Sequence, residues 1–427
     1  MRHARILTTA LALLSTTHLL AADAPAGPLL KTGDRVAIIG DSITEQKQYS
    51  VMIESYLRAC VPQFQAAVIQ LGWSGERAGG FAKRMDNDLM GWKPTVATLC
   101  YGMNDGGYQP YKESIGAEYR KQMSAIAERF AGAGVRVVVG SPGVVDSFTW
   151  SKDRPDADVA YNQNLATLGS IGREIAQAKG FVFADVHGVM SNTMIRAKAA
   201  LGDAYAVAGG DGVHPGPNGH LCMAYAFLKG MGLDGRIAEI RLAWPEGAKA
   251  SEGHTIKSAK DGRVEIESTR YPFCFYGDAK DPNAPASILP FLPFQADLNR
   301  FTLVVTGLTT PKADVTWGGA AKTFTREQLE TGVNLADAFP DNPFSAPFRK
   351  VVDAVAAKQS KETRLIKGML TSFRGFEEDI AQGDAELVKA FEVIRRKISA
   401  LLDEAQGGAQ AEVRPVTHTL QITPRAE

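Results

Sequence analysis

The stretch Val36-Ala37-Ile38-Ile39-Gly40-Asp41-Ser42-Ile43-Thr44 passes from an unbroken apolar run to a glycine, and then to an acidic residue beside a serine. A short run of this kind suits a strand buried on both faces of a parallel sheet, and Gly40 permits a tight bend into a helix start. The pattern recurs downstream. Ala66 to Leu71 ends at Gly72, Thr95 to Tyr101 at Gly102, Val135 to Val139 at Gly140, and Phe181 to Phe183 at Ala184-Asp185. Between these runs the spacing predicts helices over Tyr49 to Ala59, Ser114 to Ala131, Asp158 to Ala178 and Gly219 to Met231. Alternating strand and helix specify an α/β sandwich with a parallel sheet and right-handed crossovers. In such sheets ligands bind beyond the carboxyl ends of the strands, so the residues just after each apolar run are the first candidates for chemistry.

Four groups stand at such positions or in a late loop. Ser42 in Gly40-Asp41-Ser42 lies where a helix start offers backbone N–H groups, a setting suited to an acyl-transfer nucleophile beside an oxyanion site. Gly75, in Trp73-Ser74-Gly75-Glu76, lets the backbone approach a ligand and offer an N–H. Asn104, in Gly102-Met103-Asn104-Asp105, carries a neutral amide that can donate to a developing oxyanion. His214, in Asp211-Gly212-Val213-His214-Pro215, suits general base work near neutral pH. Asp211, three residues earlier, can fold back to accept the imidazole N–H. Each group alone also fits an ordinary turn, cap or loop.

As an ordered set these blocks resemble the SGNH (GDSL-type) hydrolase superfamily over about residues 30 to 235. The resemblance implies a flavodoxin-like three-layer α/β/α sandwich and ester hydrolysis without a metal or other cofactor. It implies Ser42 as nucleophile, His214 as base and Asp211 as its orienting partner. The backbone N–H groups of Ser42 and Gly75 and the Asn104 side chain would form the oxyanion hole. The context of Gly75 is the loosest of the four matches.

The rest of the chain bounds this reading. Its 427 residues carry 47 basic and 47 acidic side chains, which argues against a dedicated nucleic-acid or anionic-membrane partner. Arg2, His3 and Arg5 head an apolar run from Ile6 to Leu20, followed by small residues at Ala21, Ala22 and Ala24. That is the layout of a signal peptide over residues 1–24, and it predicts a secreted or periplasmic protein with no later membrane span. Cys60, Cys100, Cys222 and Cys274 show neither close pairing nor metal-ligand spacing, and their disulfide status is open.

Beyond a hydrolase domain over residues 28–237, a small β-rich module is expected over 238–325 and a helical region over 326–427 with a final strand. Strands are predicted over Thr255 to Ser268, Phe273 to Tyr276, Phe301 to Thr306 and Val413 to Thr423, and a hairpin over Asp314 to Thr325. A loop is predicted over Asp278 to Pro293, and helices over Arg349 to Ala357 and Ala385 to Ala405. Trp317, Phe273, Phe275 and Tyr276 are the candidates should this half bind glycans.

Trp73, Tyr108 and Trp150 are candidate cleft residues, since aromatic platforms suit sugar rings. No long apolar lid segment is evident. Secreted members of the superfamily it resembles include many carbohydrate O-acetylesterases, so the resemblance implies a small-molecule or polysaccharide ester as substrate, with a short acyl group, acetyl first, on a carbohydrate. A lysophospholipase or thioesterase using the same residues, a non-catalytic glycan-binding envelope protein, and a metal-dependent hydrolase are the rival readings. The sequence leaves the oligomeric state open.

Overall fold

The computed structural model describes residues 27–150, 156–278 and 280–426. The expected leader at 1–24 lies outside the described residues. Five parallel strands, β1 (Arg35–Gly40), β2 (Ala67–Gly72), β3 (Val96–Cys100), β4 (Arg136–Gly140) and β5 (Val182–Ala184), pair in the order β2-β1-β3-β4-β5. All five apolar runs are strands of this sheet. Alternate residues face opposite ways. Val36, Ile38, Val68, Val96 and Val138 pack with helices α2 (Tyr49–Ser55), α6 (Val186–Leu201) and α7 (Pro217–Gly230). Ala37, Ile39, Ile69, Leu99 and Val139 pack with α3 (Ala78–Asp88), α4 (Glu113–Gly132) and α5 (Ala157–Lys179). The sheet is thus covered on both faces, an α/β/α sandwich.

The register places the site. Gly72, Gly40, Cys100, Gly140 and Ala184 form one row across the sheet at its carboxyl edge. The loops that carry Ser42, Gly75 and Asn104 all leave from this row.

The remaining strands form two further sheets. In one, β6 (Arg236–Ala243) pairs parallel to β10 (Arg300–Thr306), flanked by β7 (Ala248–Ala250) and β13 (Val333–Asn334). In the other, β14 (Val416–Arg425) sits between β9 (Arg263–Ser268) and β11 (Lys312–Trp317), with β8 (His254–Lys260) and β12 (Ala320–Thr325) at the edges. Phe301 of β10 stacks on Trp317 of β11, with ring centroids 5.3 Å apart, and joins the two sheets. A directed chain of hydrogen bonds runs beside them. Trp317 Nε1 donates to His418 Nδ1 at 3.1 Å, which puts the His418 proton on Nε2, 2.9 Å from Ser268 Oγ. Ser268 then donates to His254 Nδ1 at 2.8 Å, and His254 Nε2 donates to the Ile237 carbonyl at 2.9 Å. Burial pushes His254 down to about 4 and His418 to about 3, so both imidazoles are neutral.

Two strand expectations and one loop expectation need correction. Thr255 to Ser268 is a hairpin of β8 and β9, turned at Asp261 and Gly262, both at positive φ. Phe273 to Tyr276 is not a strand. The Asn299 side chain takes the place of a neighbouring strand, accepting from Phe273 N at 2.7 Å and donating to the Phe273 carbonyl at 2.9 Å. Pro285–Phe291, expected as loop, is a run of 3₁₀ helix. Trp317 and Phe273 are buried and are not surface platforms for a glycan.

The C-terminal helices cover the open edge at β2. Glu54 of α2 binds Lys358 Nζ of the Ser345–Ile366 helix at 2.9 Å, and Lys358 also donates to the Val68 carbonyl at 2.7 Å. Glu362 Oε2 accepts Gln70 N at 3.2 Å, and Gln406 of the Ala385–Gln410 helix accepts Val68 N at 3.3 Å. Side chains thus satisfy the backbone groups that an edge strand leaves unpaired. Burial pushes the Glu362 carboxyl up to about 7, against the pull of Lys358.

Candidate active site

The site begins at Gly40, where a Cβ would come within 2.1 Å of Thr44 Oγ1 and 2.8 Å of the Cys100 carbonyl. Only glycine permits the chain to turn here into the short helix α1 (Ser42–Glu45). Asp41 caps that helix, its Oδ1 accepting from Ile43 N at 2.9 Å, and burial pushes its carboxyl up to about 7. Ser42 is the first helical residue and is half-buried.

His214 arrives from the loop before α7. Its Nε2 lies 2.9 Å from Ser42 Oγ. Its Nδ1 lies 2.6 Å from Asp211 Oδ2, and Asp211 Oδ1 accepts from the backbone N–H groups of Val213 and His214 at 2.9 and 2.8 Å. A carboxylate can only accept, so Nδ1 carries the proton and Nε2 is free to accept from the serine hydroxyl. Burial alone would raise the Asp211 carboxyl, but the hydrogen bonds from His214 and Val213 hold it below its ordinary value. The loop needs its glycines. At Gly209 a Cβ would fall 1.8 Å from the His214 carbonyl oxygen, and at Gly212 one would strike Trp150. Asp146 N donates to the Gly212 carbonyl at 2.8 Å and ties this loop to the end of β4.

The other two loops are laced to each other. Trp73 N donates to the Gly40 carbonyl at 3.0 Å, and Glu76 N closes the turn onto the Trp73 carbonyl at 3.1 Å, with Gly75 at φ +72°. Asn104 Nδ2 donates to the Glu76 carbonyl at 3.1 Å. Asp105 accepts Ala78 N on one oxygen and Gly102 N on the other, each at 3.0 Å. Beneath them Glu76 is bound by Arg84 at 2.7 Å and by the Tyr101 hydroxyl at 2.6 Å.

Ser42, Glu45, Gln46, Ser74, Asp211 and His214 line an open cleft of about 440 Å³. Gly75 and Asn104 are not among its walls, nor are the three aromatic candidates. Trp73 is half-buried, with Arg84 at 5.1 Å and Lys367 at 4.6 Å from its ring. Tyr108 is exposed and donates to Asn104 Oδ1 at 3.1 Å. Trp150 is buried, stacked on Tyr161 beneath the Asp211–His214 loop. Glu45, Gln46, Ser74 and Asp105 escaped sequence analysis. The first two follow Ser42 by three and four residues, the spacing that keeps side chains on one helix face, and that signal was available. No group of three His, Cys, Asp or Glu among the described residues is placed to hold a metal ion.

Residues 38–221 match the model of the GDSL-like lipase/acylhydrolase family. An acetylxylan esterase of Geobacillus stearothermophilus is 22% identical over 224 residues, which span 48% of this chain and 96% of that protein. The structure of a gut microbial diltiazem-metabolizing enzyme is 22% identical with a TM-score of 0.71, covering 94% of this chain and 100% of that one, so the shared fold includes the C-terminal half. A crystal structure of the Geobacillus stearothermophilus acetylxylan esterase is 20% identical with a TM-score of 0.40 over 48% of this chain and 96% of that one. The segment 38–221 is a GDSL-like lipase/acylhydrolase domain of the SGNH hydrolase superfamily, and the chain that carries it is a carboxylic ester hydrolase.

Proposed function

We propose that the enzyme removes short acyl groups, acetyl first, from carbohydrate esters through an acyl-enzyme on Ser42. The alignment of Ser42, His214 and Asp211 at 2.9 and 2.6 Å is the observation that carries this reading. His214 takes the Ser42 proton as the hydroxyl oxygen attacks the ester carbonyl. Asp211 keeps the imidazole in the accepting tautomer and offsets the charge it gains. The oxyanion is met by the backbone N–H groups of Ser42 and Gly75 and by the Asn104 amide. One Asn104 hydrogen is engaged by the Glu76 carbonyl, and the amide nitrogen has a second. His214 returns its proton to the departing alcohol, and water repeats the attack on the acyl group.

The cleft supports a short acyl group and an oxygen-rich alcohol. All six lining side chains are polar or charged, which suits an oxygen-rich alcohol better than a long alkyl chain. The acetylxylan esterase similarity agrees with this choice. The basic head and apolar run within residues 1–24 support export from the cytoplasm. The test is turnover of p-nitrophenyl esters from C2 to C12 beside acetylated xylan and diltiazem, with Ser42→Ala as control. Preference for C2 and for acetylated xylan, lost in Ser42→Ala, is expected. Preference for long chains would contradict the substrate, and turnover by Ser42→Ala would contradict the nucleophile.

A further inference from the structure

Lys367 directly follows the long Ser345–Ile366 helix of the C-terminal half, yet its side chain ends at the active site. Its Nζ lies 2.5 Å from Glu45 Oε1 and 4.6 Å from the centroid of the Trp73 ring. The other carboxylate oxygen of Glu45 accepts Ser74 N at 2.6 Å and also the Ser74 hydroxyl. One carboxylate, on the helix that carries Ser42, therefore grips the Ser74–Gly75 turn with one oxygen and the C-terminal half with the other. The approach is close: a Cβ at Gly72 would come within 2.2 Å of Glu45 N.

The neighbouring cation does not do this work. Lys47 Nζ donates to the Glu45 backbone carbonyl at 2.9 Å, not to its carboxylate. Burial pushes the Glu45 carboxyl up, and the hydrogen bonds from Lys367 and Ser74 more than offset it, so Glu45 stays ionised as a two-sided acceptor. An ion pair with side chains 30% and 18% exposed contributes little to global stability. Its consequence is geometric.

We infer that Lys367 is a positioning residue for ester hydrolysis, fixing through Glu45 the turn whose Gly75 N–H meets the oxyanion, so that the C-terminal half completes the site. The inference rests on the roles given above to Ser42 and Gly75. A donor displaced from the oxyanion acts weakly in the transition state while leaving substrate binding nearly unchanged, so the loss falls on kcat.

The experiment uses full-length wild type, Lys367→Met, Lys367→Arg and Ser42→Ala, with p-nitrophenyl acetate kinetics and thermal melting for each. Lys367→Met is expected to lower kcat about tenfold, with KM within about twofold and an unchanged melting temperature, and Lys367→Arg to recover most of kcat. A wild-type kcat in Lys367→Met, a loss that follows a lowered melting temperature, or an arginine variant no better than methionine would overturn the inference. Turnover by Ser42→Ala would overturn the reading of the site and this inference with it. An inert Ser42→Ala beside an unaffected Lys367→Met would overturn the role of Lys367 alone.

Discussion

Ser42 Oγ and His214 Nε2 stand 2.9 Å apart although 172 positions separate them in sequence. They meet because β1 ends in the row of residues that closes the sheet, and because the Gly209–His214 loop folds back over that edge. Asp211 is local to His214, binds it by two hydrogen bonds and accepts a third from Val213 N, so the base is oriented by its own loop.

That arrangement makes the tautomer testable. Asp211→Asn replaces an obligate acceptor with an amide that can donate to Nδ1, which leaves the proton on Nε2 where Ser42 needs an acceptor. We expect kcat to fall by up to about 10⁴-fold with the fold intact. An Asp211→Asn enzyme as active as wild type on p-nitrophenyl acetate would show that Asp211 does not set the tautomer.

Gln46 should read the alcohol side of the substrate. Tyr49 N donates to His220 Nδ1 at 3.3 Å, so the His220 proton is on Nε2, 2.7 Å from Gln46 Oε1. Burial pushes His220 down to about 3 and keeps it neutral. With its oxygen pinned, Gln46 has its amide N–H groups left for the cleft it lines. Gln46→Met should raise KM for an acetylated xylo-oligosaccharide about threefold to tenfold, the worth of one hydrogen bond. An unchanged KM would remove Gln46 from substrate recognition.

The edge cover at β2 should carry much of the stability of the C-terminal half. Lys358→Met leaves Glu54 and Glu362 buried without their shared cation and strips the Val68 carbonyl of a donor. The expected loss is about 3–5 kcal/mol in denaturant unfolding. A loss below about 1 kcal/mol would mean that Lys358 is not the cation these carboxylates depend on.

The two β sheets should loosen in acid. His254 and His418 have folded values near 4 and 3, below the unfolded value near 6.5. A depressed histidine contributes stability above its unfolded value and loses that contribution as pH falls toward its folded value. Replacing both with glutamine should therefore cost stability at pH 7.5, and the gap to wild type should narrow from pH 6.5 to about 4. A gap constant with pH would contradict neutral, buried imidazoles.

The parts legible in sequence were those with a local signature. Five apolar runs ending at small residues gave the parallel sheet, and the same endings pointed to Ser42, Gly75 and Asn104. What stayed hidden depends on partners far along the chain. Nothing local to Lys358 and Glu362 marks them for burial; they are buried because β2 offers an open edge. Phe273 to Tyr276 has the composition of a strand, yet Asn299 supplies its backbone partner. The Val186–Leu201 helix was missed because its serine, asparagine and threonine residues blur the apolar period. Trp150 read as a cleft residue but lies beneath the Asp211–His214 loop, since Gly212 leaves room for it there.

The most direct measurement of the central claim is mass spectrometric mapping of the covalent adduct formed when wild-type enzyme meets a serine-directed fluorophosphonate. A single adduct on Ser42, coincident with loss of esterase activity and absent from Ser42→Ala, is the predicted result. Inactivation with Ser42 unmodified, or an adduct on a different residue, would contradict it.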